Sequence, residues 1–590
     1  MSPFYREFME TLRWRPLQAL TGLYWHLTRR RLRAIHCLRR DWHTASDAYM
    51  RWTRLVERNG AEVERLAAES AGWPDRPTLS LFVETGAEPP AALAAQIASI
   101  LGQPWAEWEL LVCGDGSTAG LPDDPRIRPI AVARGATALE AALAAARGSH
   151  LLPLAPGAIL PGPALLRWAE AVRATPPATL AYADEDLIAP DGERSAPWFK
   201  PAWQRELLLS QDYLSSCCLV PVEAGRALLP LDPAQRRAPL YALLLELTHD
   251  PAPPVIHLPH VQVHLGQREA EPGQANRVAV LRRHLAPLCA DAEAGPFGTH
   301  RAIWPLPAQP PLVSIVIPTR DKAHLLRACL DSVLGKTTWP AFEILVVDNN
   351  SEEAATFACF ADYAAHPAVK VLADPRPYNF SAINNRAIEA ARGDYVCLLN
   401  NDTEVIAPQW LDELMRQAVR PEAGAVGAKL LYPDGSIQHA GVVIGMGNAA
   451  GHAHRLLPEG EAGYFAQAHV AREATAVTAA CLVVGKRKLE TIGGLDEDHL
   501  AIAYNDVDLC LKLRAAGWTN FYVPTARLFH HESVSRGDDF SPEHNQRYLA
   551  ELKVLQERWG TATFIDPLHH PRLDRASDQY AMAFRMDDPR

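Results

Sequence analysis

One stretch of this 590-residue chain occurs twice, and only the second copy carries acids. Residues 148–166 (GSHLLPLAPGAILPGPALL) lie without a gap on residues 393–411 (GDYVCLLNNDTEVIAPQWL), so Asn400, Asn401 and Asp402 stand opposite Ala155, Pro156 and Gly157. Side-chain oxygens suit a hard cation, and Ala-Pro-Gly offers none. The pattern predicts two related domains, with the chemistry confined to the C-terminal one.

The length allows three or four domains of ordinary size, each with its own core. Charge is divided unevenly. Residues 1–60 hold twelve Arg, no Lys and five acids, a net of +7, which leaves −18 for the rest of a chain of formal charge −11. An acidic body argues against a nucleic-acid partner, whereas a basic N-terminal arm suits an acidic membrane surface. The ten cysteines show neither CxxC pairs nor framework spacing, which fits a reduced compartment. No run reaches the roughly 18–20 apolar residues of a spanning helix, and the N-terminus lacks a signal peptide's features. The expected location is cytoplasmic, at most peripheral at the inner face of the cytoplasmic membrane.

Residues 1–72 read as a basic helical segment broken at Pro16. Arg29, Arg30, Arg31, Arg33, Arg39 and Arg40, interleaved with Trp14, Trp25 and Trp42, fit an interfacial membrane contact through residues 1–45. The plainer alternative is a helical hairpin packed on the body with its arginines in water. From Pro77, short apolar runs alternate with helical segments, the signature of βα units and a parallel sheet. Leu79–Val83 and Glu109–Cys113 are expected strands; Ala91–Leu101 and Ala138–Ala146 are expected helices. The cycle restarts after the proline-rich stretch Pro305–Pro311 with strands Val313–Ile317, Phe342–Val347 and Tyr395–Leu399 and helices Leu325–Leu334 and Ile383–Ala391. The predicted fold class is α/β: tandem, mostly parallel, Rossmann-like domains over 73–300 and 311–540, joined by a 301–310 linker and followed by a helical tail over 541–590.

In open parallel sheets ligands gather at the carboxyl ends of strands. Three such ends here read Pro318-Thr319-Arg320-Asp321, Asp348-Asn349-Asn350-Ser351 and Asn400-Asn401-Asp402. A carboxylate at Asp348 suits the imide N–H or ribose hydroxyls of a nucleoside, although the same string is ordinary turn chemistry. Asp402 suits Mg²⁺ or Mn²⁺ carrying substrate phosphates. Downstream, Gly493-Gly494-Leu495-Asp496-Glu497 precedes Tyr504-Asn505-Asp506-Val507-Asp508 and a buried-helix pattern; one of the two later acids caps that helix and the other is a general base. Last comes Phe529-His530-His531, followed by Arg536. Adjacent histidines are commonly surface residues, but beside a cation one imidazole completes its shell while Arg536 neutralises phosphate.

Together these strings resemble the family-2 glycosyltransferases of the GT-A fold. The resemblance covers roughly Pro311–Arg536 through LVSIVIPTRDK, EILVVDNNS, NFSAINNRAIEAARGDYVCLLNNDTEV, GAKLLYPDGSIQHAGVVIG, TAACLVV, GGLDEDHLAIAYNDVDLCLKLRAAGW and ARLFHHESVSRG. It points to the bacterial branch that builds O-antigen, rhamnan and related surface polysaccharides. It implies nucleotide contacts at Thr319, Asp348, Asn349, Asn384, Asn400 and Asn401, metal ligation at Asp402, His530 and His531, and a catalytic base at Asp506. Glu497, Asn505, Asp508 and Arg536 would support the acceptor or the base helix. The triplet Asn400-Asn401-Asp402 and the pair Asn505-Asp506 depart from the family's usual acids but keep the last acid of each.

The activity implied is inverting, metal-dependent, non-processive transfer of a hexosyl or deoxyhexosyl group. The donor would be UDP-, dTDP- or GDP-linked, and the acceptor a glycan or lipid-linked glycan. The first copy resembles the same family gone silent, with Gly114 at the Asp348 position and Leu139-Glu140 at that of Asn384-Asn385. The competing reading is a catalytically silent carbohydrate-binding scaffold of a polysaccharide assembly complex.

Overall fold

The computed structural model describes residues 8–9, 11–12, 16–28, 38, 48–57, 60–85, 90–117, 120–249, 254–268, 272–531 and 542–584. The N-terminal sheet contains β1 (Leu79–Glu84), β2 (Trp108–Gly114), β3 (Ile127–Ala131), β4 (His150–Leu154), β5 (Leu180–Ile188), β6 (Arg194–Trp198), β7 (Cys218–Pro221) and β8 (Val255–Leu265). A ribbon of β9 (Asp291–Ala294) and β10 (His300–Ile303) follows, so the expected linker begins inside a strand. The C-terminal sheet is built from β11 (Val313–Thr319), β12 (Phe342–Asp348), β13 (Val369–Ala373), β14 (Tyr395–Leu399), β15 (Thr403–Val405), β16 (Ala423–Leu431) and β17 (Ile437–His439). After the hairpin β18 (Val442–Ile444) and β19 (Ala450–His452), β20 (Arg472–Glu473), β21 (Cys481–Gly485) and β22 (Thr519–His530) complete it.

The first sheet runs β3-β2-β1-β4-β7-β5-β6, with β8 on β5; the second runs β13-β12-β11-β14-β21-β16-β22-β15, with β17 on β16 and β20 on β22. The eight strands of the first sheet thus recur in the second, down to the parallel pairs β5–β8 and β16–β22, and β15 and β20 are added. Both sheets are covered on both faces, which is why their parallel strands read as continuous apolar runs. Along β11, Val313, Ile315 and Ile317 enter one core and Val316 the other; along β1, Leu79, Leu81 and Val83 part from Phe82 in the same way.

Register fixes the equivalences. Leu79 pairs with Trp108 as Val313 pairs with Phe342, so Gly114 falls on Asp348 and Thr85 on Thr319. Ile159 bridges His264 as Glu404 pairs with Phe529, and the gap-free alignment sets Ile159 on Glu404, so Leu265 occupies the place of His530.

The two domains are fastened together. Arg420 Nη1 donates to Glu206 Oε2 at 2.7 Å, and Trp304 Nε1 and Gln417 Nε2 donate to Oε1 at 3.1 and 2.8 Å. Burial alone would raise the Glu206 carboxyl; Arg420 and these donors outweigh it and hold the group below its ordinary value. Phe465 stacks on Trp198 at 4.4 Å, and Tyr464 Oη donates to Phe199 O at 3.0 Å, so a loop of the second domain is seated on the first.

One expectation needs correction at the ends. Residues 8–9 and 11–12 are helical, and Pro16 stands at the first position of the helix Pro16–Leu27, where its missing N–H costs nothing. Among the described residues of the tail only Pro542–Trp559 is helical; Gly560 turns at φ +64°, and residues 561–584 form an irregular strap. That strap ties both domains: Asp566 accepts from Thr475 Oγ1 and Ile444 N at 2.6 and 2.8 Å, and Ala202 N donates to Pro567 O at 2.9 Å. Trp14, the arginines at 29–33, 39 and 40, and Trp42 lie outside the described residues.

Candidate active site at the strand ends of the second sheet

Thr319 and Asp348 close β11 and β12 side by side in register. Asn401 Nδ2 donates to Thr319 Oγ1 at 2.9 Å, stitching the turn after β14 to the end of β11. Asp348 is half-buried and accepts from Ser351 N at 3.1 Å, so part of its hydrogen-bonding capacity closes the local turn. Asn349 is buried and donates to Asp374 O and Arg376 O at 3.0 and 2.8 Å, clamping the neighbouring loop. Asn384 is wholly buried and donates to Phe380 O of its own helix at 2.7 Å, so its amide hydrogen bond stays within that helix. Its neighbour Asn385 brackets Leu495, accepting from Leu495 N and donating to Leu495 O at 2.9 Å each, and lies 3.3 Å from Glu497 Oε2. The glycine pair before Glu497 follows from this packing. Gly494 sits at φ +66°, and a Cβ there would lie 2.6 Å from Asn385 Oδ1.

Asp402 and His530 meet. The pairing of β15 with β22 sets Thr403 opposite His530, and His530 Nε2 lies 3.1 Å from Asp402 Oδ1 and 3.3 Å from Asn400 Nδ2. His530 Nδ1 lies 2.7 Å from Gln438 Oε1. An amide oxygen only accepts, so Nδ1 carries a proton and Nε2 is the ring atom turned to the Asp402 carboxylate. Asp402 Oδ1 and His530 Nε2 are the atoms with which these two residues could hold a divalent cation. His531 turns elsewhere: its Nε2 is 3.9 Å from Glu404 Oε2, and only its backbone N–H contacts Asp402, donating to the carbonyl at 2.9 Å. Arg536 lies outside the described residues.

Asp506 reaches the same edge. Asn400 N donates to Ala480 O at 3.1 Å, and next to it Ala479 N donates to Asp506 Oδ2 at 3.1 Å, while Val507 N occupies Oδ1 at 2.8 Å. The carboxylate is half-buried in the first turn of the helix Asn505–Ala515, where the helix dipole favours an anion. Asp508 faces inward and is fully buried; its Oδ1 accepts from Arg558 Nη1 and Trp559 Nε1, both at 2.8 Å. Asn505 is also buried and donates to Ile502 O at 2.9 Å. Asp508 and Asn505 thus fix the helix on which Asp506 stands. Gln438 had not been singled out from sequence; it lay unread inside the string IQHAGVVIG.

A second group of potential ligands lies in the first domain, where Asp184, His257 and His570 come within 4.8 Å of one another. His257 Nε2 is 2.8 Å from Asp184 Oδ1, and His570 Nε2 is 2.8 Å from Oδ2. Here the tautomer is reversed. Arg572 N donates to His570 Nδ1 at 2.9 Å, so the neutral ring carries its proton on Nε2. A protonated Nε2 is not a metal ligand, and the pair makes a close polar contact between the strap and β5.

The family model described as glycosyl transferase family 2 matches residues 314–489, within the C-terminal domain. The chain is 38% identical over 580 residues to the uncharacterised protein y4gI of Sinorhizobium fredii, covering 92% of this chain and 64% of that one. It is 37% identical over 525 residues to the O-antigen biosynthesis protein RfbC of Myxococcus xanthus, covering 84% and 40%. A 240-residue stretch is 27% identical to N-acetylglucosaminyl-diphospho-decaprenol L-rhamnosyltransferase of Mycobacterium tuberculosis, covering 35% and 73%. The chain thus spans less than two thirds of the length of the first two relatives. Among the described residues, no helix is long and apolar enough to cross a membrane.

Proposed function

We propose that the chain is an inverting, non-processive glycosyltransferase that moves a hexosyl or deoxyhexosyl group from a nucleoside diphosphate to a hydroxyl of a growing surface glycan. The observation that carries this is the meeting of Asp402 with the Nε2 face of His530 at the edge that also holds Thr319, Asp348 and Asp506. Asp348 and Thr319 would hold the nucleoside, Asn349 and Asn401 keeping those strand ends in place. Asp402 and His530 would hold Mg²⁺ or Mn²⁺, which when bound supplies Lewis-acid neutralisation of the diphosphate.

Asp506 would take the proton of the acceptor hydroxyl as that oxygen bonds to the anomeric carbon and the bond to the diphosphate oxygen breaks. The single displacement inverts the anomeric centre. Arg536 would neutralise phosphate, and Glu497 would line the acceptor side. O-antigen assembly and rhamnosyl transfer by the relatives favour a lipid-linked or polymeric acceptor and a UDP-, dTDP- or GDP-linked donor.

The test is a panel of such nucleotide sugars given to the full chain with Mn²⁺, read by release of the nucleoside diphosphate and by calorimetry. One donor is expected to bind only with metal and to turn over. If no donor binds or turns over, the carbohydrate-binding scaffold replaces this reading.

A further inference from the structure

The helix Pro16–Leu27 turns an apolar stripe outward. Leu17, Leu20, Tyr24 and Leu27 follow one another at three- and four-residue steps and are 81%, 54%, 58% and 70% exposed, while Ala19 and Gly22 face inward. A surface helix of a water-soluble body carries charge on its outer face, yet PLQALTGLYWHL contains no Asp, Glu, Lys or Arg. The charge stands just outside it: Arg13 and Arg15 before, Arg29, Arg30, Arg31 and Arg33 after. Beside the stripe, Thr21 and Thr28 give their hydroxyls to Leu17 O and Tyr24 O at 2.9 and 3.0 Å, so neither needs water. Twelve residues rise about 18 Å, too short for a hydrocarbon core of about 30 Å.

We propose that this helix lies in the plane of an anionic bilayer, with Leu17, Leu20, Tyr24 and Leu27 in the acyl boundary and the flanking arginines on lipid phosphates. The acidic remainder of the chain is repelled from the same surface, so the arm sets which end of the protein meets the membrane. The inference is independent of the transfer reaction, because it is tested by lipid binding alone.

The full chain is sedimented with phosphatidylcholine vesicles with and without phosphatidylglycerol. Binding is expected only with the anionic lipid, and it should weaken as salt is raised. Replacing Leu17, Leu20 and Leu27 together by Gln should weaken it about a hundredfold with an unchanged circular dichroism spectrum, since these side chains are exposed. Replacing Arg29, Arg30, Arg31 and Arg33 by Gln should weaken it about tenfold or more and flatten the salt dependence. The proposal is overturned if the wild-type chain stays in the supernatant with anionic vesicles, or if the triple Gln variant binds as tightly. It is also overturned if sedimentation velocity shows a dimer that the triple variant abolishes, which would assign the stripe to a second copy.

Discussion

At one end of their strands the two domains are nearly the same object, and at the other end they diverge. At the amino ends Ser80 Oγ donates to Glu109 Oε1 at 2.7 Å and accepts from Gly148 N at 2.9 Å; Ser314 does the same with Glu343 and Gly393 at the same two distances. A Cβ on either glycine would strike a backbone carbonyl at 2.5 Å, so both copies need glycine there. At the carboxyl ends, Thr319 Oγ1 receives Asn401, whereas Thr85 Oγ1 donates to Cys113 O, and a Cβ at Gly114 would lie 2.3 Å from it. The first copy has kept what holds a sheet together and lost what faces a ligand.

Its buried charge has moved into structure. Asp184, Glu185 and Asp186 on β5 are all wholly buried; His257 and His570 hold the first, Lys200 at 2.9 Å the second, and Arg194 at 2.6 Å the third. β7 and β21 both open on Cys-Leu-Val, and Ala181 pairs with Leu219 as Gly427 pairs with Leu482. Asp184 lies between two imidazoles, whereas Asp402 meets one, because His531 turns to Glu404.

The strongest way to break this contrast is Asp506→Asn. Turnover should fall about 10²–10⁴-fold while metal-dependent donor binding persists. More than a tenth of wild-type kcat would mean that Asp506 is not the base or that the first copy also turns over. Next comes Asp402→Ala: the wild-type chain is expected to bind one Mn²⁺ equivalent in calorimetry and this variant none; an equivalent that survives and is lost only on His570→Ala would place a metal in the first domain. Gln438→Leu frees the His530 tautomer and should weaken Mn²⁺ binding about 10–100-fold, with the fold intact by circular dichroism.

The smallest effect sharpens the structural side. Burial depresses His300 and His569 to about 3 and holds His439, His454 and His570 below their ordinary values. Between about pH 3 and 6.5 His300 and His569 stay unprotonated in the folded chain and take up protons in the unfolded one, so their contribution to stability falls as pH drops through that window, by about 1.4 kcal/mol per pH unit each. Glu473, which burial raises to about 7, acts in the opposite sense. A His300→Gln, His569→Gln double variant whose urea midpoint depends on pH as steeply as the wild type's would contradict the buried, neutral rings.

The duplication, the βα order, the strand ends and the acids at them were legible in the sequence, because period and turn chemistry are local properties. The strands Val313–Thr319 and Tyr395–Leu399 begin where the apolar runs begin, and the gap-free match of the two copies survives as register. Choosing between neighbours was not legible. Side chains alternate along a strand, so the pairing of β22 with β15, and nothing in the local pattern, decides that His530 meets Asp402 while His531 faces Glu404. Likewise Asp508 turns to Arg558 and Trp559, fifty residues on, and leaves Asp506 at the site. Gln438 on His530 and His570 on Asp184 join groups 92 and 386 residues apart; such contacts set each proton's position, and only a folded chain brings them together.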